Sequence, residues 1–442
     1  MKEKIINNWP LVLILAGGCS ERFWPLEEKN LLPFLGKSLL FHQVEKIKKA
    51  GFDKIVIVCN FSLFSKLKKS KNKLGAELVL QKGKGQAAAI FSAKEFIKKG
   101  AVLVVNANDL FEEKLLQEIE RKSREDNLDG LLVGYQIKNY FPGGYLVVKD
   151  EFVKEVVEKP GEGKEPSDLV RLVVDYFKDG EDLLAFIQKC GGPFDKIYES
   201  ALTALVNKKR FKVVRYDGFW GYLKYPWDTL FVMDLFLKTI NDVKIAKTAQ
   251  IAKSATISGN VLIEEGVKVL EGAKIVGPSF IGGETVVGNN VLIRESMIGK
   301  NCVVGFGTEI ARSYIGGSCW FHTNYVGDSI LADNVSMGAG AVLANLRLDG
   351  MEIKSVVKGE KLGTGRTKLG TIAGNNVRIG VNASVMPGVK IGKNSYVGSE
   401  VVLSSDLPEG KCCFLKQEYV IKNNIAVFSK EERKNFKEKL KY

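Results

Sequence analysis

Histidine is nearly absent: the 442 residues contain only His42 and His322, so any imidazole chemistry must fall on one of them. The seven cysteines (Cys19, Cys59, Cys190, Cys302, Cys319, Cys412 and Cys413) form an odd, scattered set with neither a disulfide framework nor zinc-ligand spacing. A reducing, cytoplasmic setting is therefore expected. The longest apolar run near the start, Leu11 to Ala16, is far short of the roughly 20 residues of a membrane span. Pro10 and Gly17-Gly18 bracket it as a buried strand. No export signal is visible, and no membrane partner is expected. Two phosphate motifs are also missing. There is no GxGxxG, and Gly36-Lys37-Ser38 is not a Walker loop because Leu31 stands where its first glycine belongs.

What is present excludes a disordered or collagen-like chain: 45% of residues are apolar and 26% charged. The length predicts two or three domains. Sixty-five basic against 51 acidic residues give a net charge of +14. That balance favours acidic ligands such as phosphates; it permits nonspecific nucleic-acid contact but points to no specific nucleic acid.

The chain divides near residue 243. Before it, short apolar runs alternate with helical patterns: VLILA, a helix from about Ser38 to Ala50, IVIVC, a lysine-rich helix, ELVL, a helix from about Gln86 to Lys99, then VLVVN. This βαβ rhythm predicts a parallel, Rossmann-like α/β sheet covered on both faces, with ligands at the carboxyl ends of its strands. After it, an aliphatic residue recurs every six positions: Ile245, Ile251, Ile257, Ile263, Val269, Ile275, Ile281, Val287 and Ile293. The register slips by one, resumes at Ile298, Val304 and Ile310, and returns at Leu331, Met337 and Leu343 and again from Ala373 to Leu403. No α-helix has that period; a solenoid does.

These repeats resemble the hexapeptide-repeat family, which implies a left-handed parallel β-helix and, commonly, a homotrimer with acyltransferase sites between subunits. The stretch from Ala344 to Thr371 breaks the period and carries Arg347, Lys354, Lys358, Lys361, Arg366 and Lys368. It reads as a binding loop or as a solvated basic loop. The tail SKEERKNFKEKLKY reads as a charged surface helix.

LILAGGCSERFWPL sets a glycine turn directly after the first strand, where backbone N–H groups can face a phosphate, with Arg22 and Lys29 beyond it. The arrangement resembles the sugar-1-phosphate nucleotidyltransferases, of GT-A-like fold. The resemblance implies phosphate contacts at Gly17, Gly18, Arg22 and Lys29, and a base-reading Gln81 followed by Gly83 and Gly85. It further implies Mg²⁺ on Asp109, a sugar site at Gly144, Glu158 and Lys159, and an NTP and a sugar 1-phosphate as substrates. Three positions depart from the pattern: Ser20 for its second glycine, Asn108 for the glycine before the metal Asp, and Tyr222 for a second metal carboxylate. Asp228, six residues later, reads as a helix N-terminal charge.

WFHTNYVGDSILADNVSMGAGAVLANLRLDG resembles the acetyltransferase domain of bifunctional N-acetylglucosamine-1-phosphate uridylyltransferase/glucosamine-1-phosphate acetyltransferases, the archaeal sugar-1-phosphate versions especially. There the resemblance implies acetyl-CoA as co-substrate and His322 as general base, with Glu309 beside it. Tyr325 and Asn345 would contact the sugar and Arg294 its phosphate. Two lysines of the pattern are missing. Ala311 replaces one; Met351 replaces the other, with Lys354 three residues on. His42 lies in an ordinary helical pattern. The domains expected are 1–242, nucleotidyltransferase-like; 243–425, β-helix; and 426–442, a basic tail. Three functions stay open: a bifunctional enzyme, a nucleotidyltransferase with a structural β-helix, and a nucleotide-sugar sensor.

Overall fold

Alternation along the first strand decides how the amino-terminal half is layered. In β1 (Leu11–Ala16), Val12, Ile14 and Ala16 enter one hydrophobic cluster and Leu13 and Leu15 another, because successive side chains leave a strand on opposite faces. A strand apolar on both faces needs helices on both. Leu39–Lys49 and Glu113–Ser123 cover the first face; Gly85–Ser92, Gly180–Lys189 and Ile197–Val206 cover the second. The computed structural model describes residues 9–18, 20–68, 74–194, 196–425 and 429–440; Cys19 lies outside them.

Among the described residues nine strands build this sheet: β1, β2 (Ile55–Cys59), β3 (Glu77–Leu80), β4 (Val102–Asn106), β5 (Gly130–Gln136), β6 (Gly144–Lys149), β7 (Phe152–Glu158), β8 (Leu169–Phe177) and β9 (Phe211–Tyr216). Their order is β3-β2-β1-β4-β8-β5-β9-β7-β6. The first four strands are parallel as predicted, but β8 runs antiparallel to β4 and β5, so the sheet is mixed. The helix predicted over Gln86–Lys99 is two helices, Gly85–Ser92 and Lys94–Ile97, parted at the buried Ala93.

From Lys244 the chain coils through three parallel sheets, and the six-residue rows become one interior. Ile245 pairs with Ile263, Ile251 with Val269 and Ile257 with Ile275, so three hexapeptides close one coil. The rows Ile315, Phe321 and Val326, which the six-residue count passes over, are present as well. They escape the count because Ile310 to Ile315 and Phe321 to Val326 are steps of five, each corner having lost a residue. Corners turn on left-handed residues, chiefly glycine (Gly259, Gly266, Gly272, Gly307, Gly340, Gly388) and asparagine (Asn290, Asn301, Asn334, Asn376, Asn382, Asn394). Inside, hydroxyls stack: Ser296, Ser313, Ser329 and Thr371 each donate a backbone N–H to the hydroxyl one coil before. Cys302 and Cys319 continue another such ladder, both buried.

The two halves share a core in which Phe34, Leu39, Trp227 and Met233 pack with Phe280, Met297, Tyr314 and Ile330. The basic insertion contributes Ile353 and Leu369 to that core and folds into a hairpin, Lys354–Val357 against Glu360–Gly363. The tail forms an exposed helix, Lys430–Lys439, closed by a Ser429/Glu432 capping box.

Candidate functional site

β1 and β4 end side by side, Leu15 opposite Asn106, and their carboxyl ends open into a cleft of about 840 Å³. The glycine turn after β1 forms one wall. A Cβ on Gly17 would fall 1.5 Å from Gln81 Oε1, so only glycine lets the Gln81 amide lie across the turn. That amide is held by donating to the carbonyls of Gly83 (3.0 Å) and Gly85 (3.2 Å). Gly18 is exposed, and its carbonyl accepts from Asn60 Nδ2 at 3.1 Å. Ser20 adopts φ 51°, ψ 21°, the left-handed conformation that explains a glycine preference there. Among the described residues its buried hydroxyl has no hydrogen-bond partner.

Asp109 lies buried on the floor. Trp220 Nε1 donates to its Oδ1 at 3.2 Å and Asn106 Nδ2 to its Oδ2 at 3.1 Å. Burial pushes the Asp109 carboxyl upward, opposed by those two bonds and by the charges of Lys29 and Arg171. Lys29 donates to the Leu223 carbonyl at 3.1 Å, and burial brings its ammonium down to about 8. Arg22 lines the entrance. Tyr222 pairs directly with Asp109 in a short ladder and meets Phe141 edge-on, so an aromatic wall stands where a second carboxylate was sought. Asp228 opens the helix Asp228–Leu237 and accepts from the backbone N–H groups of Lys224 and Tyr225, which makes it a turn-former. Among the described residues no three acidic, cysteine or histidine side chains cluster for a metal.

The far end of the cleft is built on a buried ion cluster that the sequence reading missed. Arg171 donates to Asp175 (2.7 Å) and Glu199 (2.9 Å), Tyr198 donates to Asp175 (2.8 Å), and Arg171 Nε is left without a partner among the described residues. Burial raises Asp175 to about 6, and it raises Glu199 as well. A Cβ on Gly144 would come 3.2 Å from Glu158 Oε2 and 3.6 Å from Arg171 Nε, so Gly144 and Glu158 meet here. Lys159 extends outward to pair with Glu158 at 3.0 Å. The signal was available, since Arg171 and Asp175 are two charges on one face of the otherwise apolar LVRLVVDYF.

On the β-helix, Glu309 pairs in register with Tyr325, and Arg294 donates to Glu309 through Nε (3.2 Å) and Nη2 (2.7 Å). Gly327 lacks the side chain that would strike both Tyr325 OH and Asn345 Nδ2 at 2.6 Å, so these two converge above it. Asn345 donates to Asp328 (2.5 Å), which also holds Arg312 through two bonds (2.8 and 2.7 Å). His322 stands exposed at a corner; among the described residues its imidazole has no hydrogen-bond partner, and Glu309 is engaged by Arg294 instead. Lys354 opens the insertion hairpin, paired in register with Gly363. His42 is structural: it bonds the Phe34 carbonyl at 2.7 Å and lies 4.5 Å from the Phe236 ring.

A glycine turn with a buried aspartate at adjoining strand ends, joined to a β-helix, is the architecture of a two-domain transferase. Family models agree domain by domain: "Nucleotidyl transferase" over residues 11–214, "GMPPB C-terminal domain" over 239–361 and "Bacterial transferase hexapeptide (six repeats)" over 370–405. The chain is 31% identical to the bifunctional sugar-1-phosphate nucleotidylyltransferase/acetyltransferase of Sulfurisphaera tokodaii, covering 90% of this chain and 98% of that one. It is 33% identical to the bifunctional protein GlmU of Methanococcus maripaludis (92% and 98%) and 30% identical to that of Methanocaldococcus jannaschii (93% and 98%). It belongs to this family of bifunctional sugar-1-phosphate nucleotidylyltransferase/acetyltransferases.

Proposed function

We propose that the amino-terminal cleft joins an NTP to a sugar 1-phosphate, and that the β-helix acetylates an amino-sugar 1-phosphate from acetyl-CoA. The observation carrying the first half is the convergence of Gly17, Gly18, Arg22, Lys29 and Asp109 on one cleft whose far end holds Gly144 and Glu158. A phosphate oxygen of the sugar 1-phosphate attacks the α-phosphorus, and pyrophosphate leaves with the bond electrons. Arg22 and Lys29, the latter mostly protonated near pH 7 at a value of about 8, neutralise charge on the phosphates. Gln81 holds the base end, and Glu158 with Lys159 the sugar.

The floor suits Mg²⁺, which accepts one or two carboxylates and otherwise phosphate and water oxygens. Asp109 offers the carboxylate, and the buried Asn108 Oδ1, without a partner among the described residues, offers a neutral oxygen. When bound there, the ion supplies further neutralisation of phosphate charge. On the β-helix, His322 takes the proton of the sugar amine as nitrogen attacks the thioester carbonyl and CoA leaves. Arg294, Glu309, Tyr325, Asn345 and Lys354 are the proposed surroundings of that sugar. Exposed Phe306 and Trp320 beside the His322 corner support a homotrimer that completes this second site. We assign 1–242 to the first reaction and 243–425 to the second, with 426–442 as a basic tail, in the cytoplasm.

Pyrophosphate release, measured across NTPs and hexose 1-phosphates with Mg²⁺, is expected in the parent and absent in Asp109→Ala. CoA release with an amino-sugar 1-phosphate is expected to disappear in His322→Ala. The sensor reading draws on Tyr222 and Ser20, and tight nucleotide-sugar binding without either product would establish it instead.

A further inference from the structure

We propose that Lys358, at the tip of the hairpin that interrupts the β-helix, is a ligand for the nucleotide's polyphosphate in the amino-terminal cleft. Resting on the nucleotidyl-transfer reading, this makes that reaction depend on a side chain delivered by the other domain.

The insertion is built to deliver something. Leu331 and Ala373 pair across adjacent coils although 42 positions separate them, where an ordinary coil takes 18. The extra chain is anchored in the shared core: Ile353, Ser355 and Leu369 are buried, and Lys390 Nζ bonds the Val356 carbonyl. Val357 and Glu360 pair, leaving Lys358 and Gly359 as a two-residue turn with positive φ at both, the tight hairpin geometry. The turn ends on the cleft wall, where Lys358 Nζ pairs with Glu21 directly beside Arg22.

That ion pair does not explain the hairpin's placement. Both partners are more than half exposed (55% and 64%), and such pairs contribute little to stability. The buried anchors fix the hairpin whether or not the pair forms. What the pair does is hold an ammonium at the mouth of a cleft already lined by Arg22, Lys29, Lys84 and Lys224. Glu21 also feels Lys84 and Arg22, so it is a shared counter-charge for cations on both sides of the entrance. A polyphosphate brings several negative charges to the same place and outcompetes one solvated carboxylate. Lysine suits the exchange, its flexible stem carrying three rotatable donors.

Steady-state pyrophosphate formation tests this, with Lys358→Ala, Lys358→Arg and Glu21→Gln beside the parent. Lys358→Ala is expected to raise the KM for NTP about tenfold, the scale of one charge-assisted bond. The KM for sugar 1-phosphate and the thermal midpoint should hold, and Lys358→Arg should restore most of the loss. Glu21→Gln, which frees the lysine, should leave the KM for NTP at or below that of the parent. An unchanged KM in Lys358→Ala, or an equal rise in Glu21→Gln, would overturn the proposal, the latter because the pair would then be a structural latch. If the parent proves inactive with every NTP, titration calorimetry with inorganic pyrophosphate decides separately. Weaker binding by Lys358→Ala supports the lysine's role while the turnover reading fails; equal binding, or none by the parent, sinks it.

Discussion

Lys46 sits under the acidic floor of the cleft, its Nζ donating to the Phe111 carbonyl at 2.9 Å and lying 3.6 Å from the centre of the Phe111 ring. Burial brings its ammonium down to about 7 from 10.5, only partly countered by Asp109. Below pH 7 folded and unfolded chains both carry the proton, so the full cost of burying it is present. Between about 7 and 10.5 the unfolded chain holds a proton that the folded one has released, so stability rises with pH across that window. Lys46→Met should remove the slope, raising the thermal midpoint at pH 6 and losing that advantage by pH 10. Parallel midpoint curves from pH 6 to 10 would contradict it. Lys46 escapes notice in sequence because QVEKIKK looks like any amphipathic helix; its burial follows from Gln43 and Lys46 reaching beneath Asp109 and Phe111, and Gln43 Nε2 bonds the Asp109 carbonyl at 2.5 Å.

Elements differ in how openly the sequence declares them. The β-helix does so because each inward residue stacks on its own counterpart one coil away, so one repeat states the rule for all. Ile310 lies in register between Ile293 and Val326, all fully buried. Ile310→Ala opens a cavity that neighbouring coils cannot close without breaking their own ladders. It should cost about 2–5 kcal/mol, read as an earlier denaturant midpoint with unchanged slope; a shift near zero would mean the coil collapses freely. The same stacking hid the Phe321–Val326 side that carries His322, because shortened corners change the spacing without changing the contacts. In the mixed sheet, β8 was hidden for another reason: strand direction is set by the connection before it and leaves no trace in apolar content.

At the scale of the molecule, the halves are joined by a core rather than a linker. Phe34 stacks on Phe236 at 5.0 Å and meets Tyr314 of the β-helix at 5.6 Å, while Tyr314 OH donates to the Pro33 carbonyl at 3.0 Å. Domains that share buried apolar surface unfold together. Phe34→Ala should cost about 3–5 kcal/mol and split one calorimetric transition into two; a parent already melting in two steps would refute the coupling.

The sequence by itself determined the βαβ half, the solenoid and the cleft motifs from Gly17 to Glu158, because periodicity and glycine turns are local and repeat along the chain. Only the tertiary structure decided that Arg171, Asp175 and Glu199 form one buried cluster, that Glu309 belongs to Arg294, and that Lys358 reaches the mouth of the first cleft. Arg171 and Asp175 show themselves as charges four positions apart in an apolar strand, but Glu199 joins them from a separate helix and Lys358 meets Glu21 across 337 positions, contacts made by the packing of sheets and domains, which no local pattern encodes.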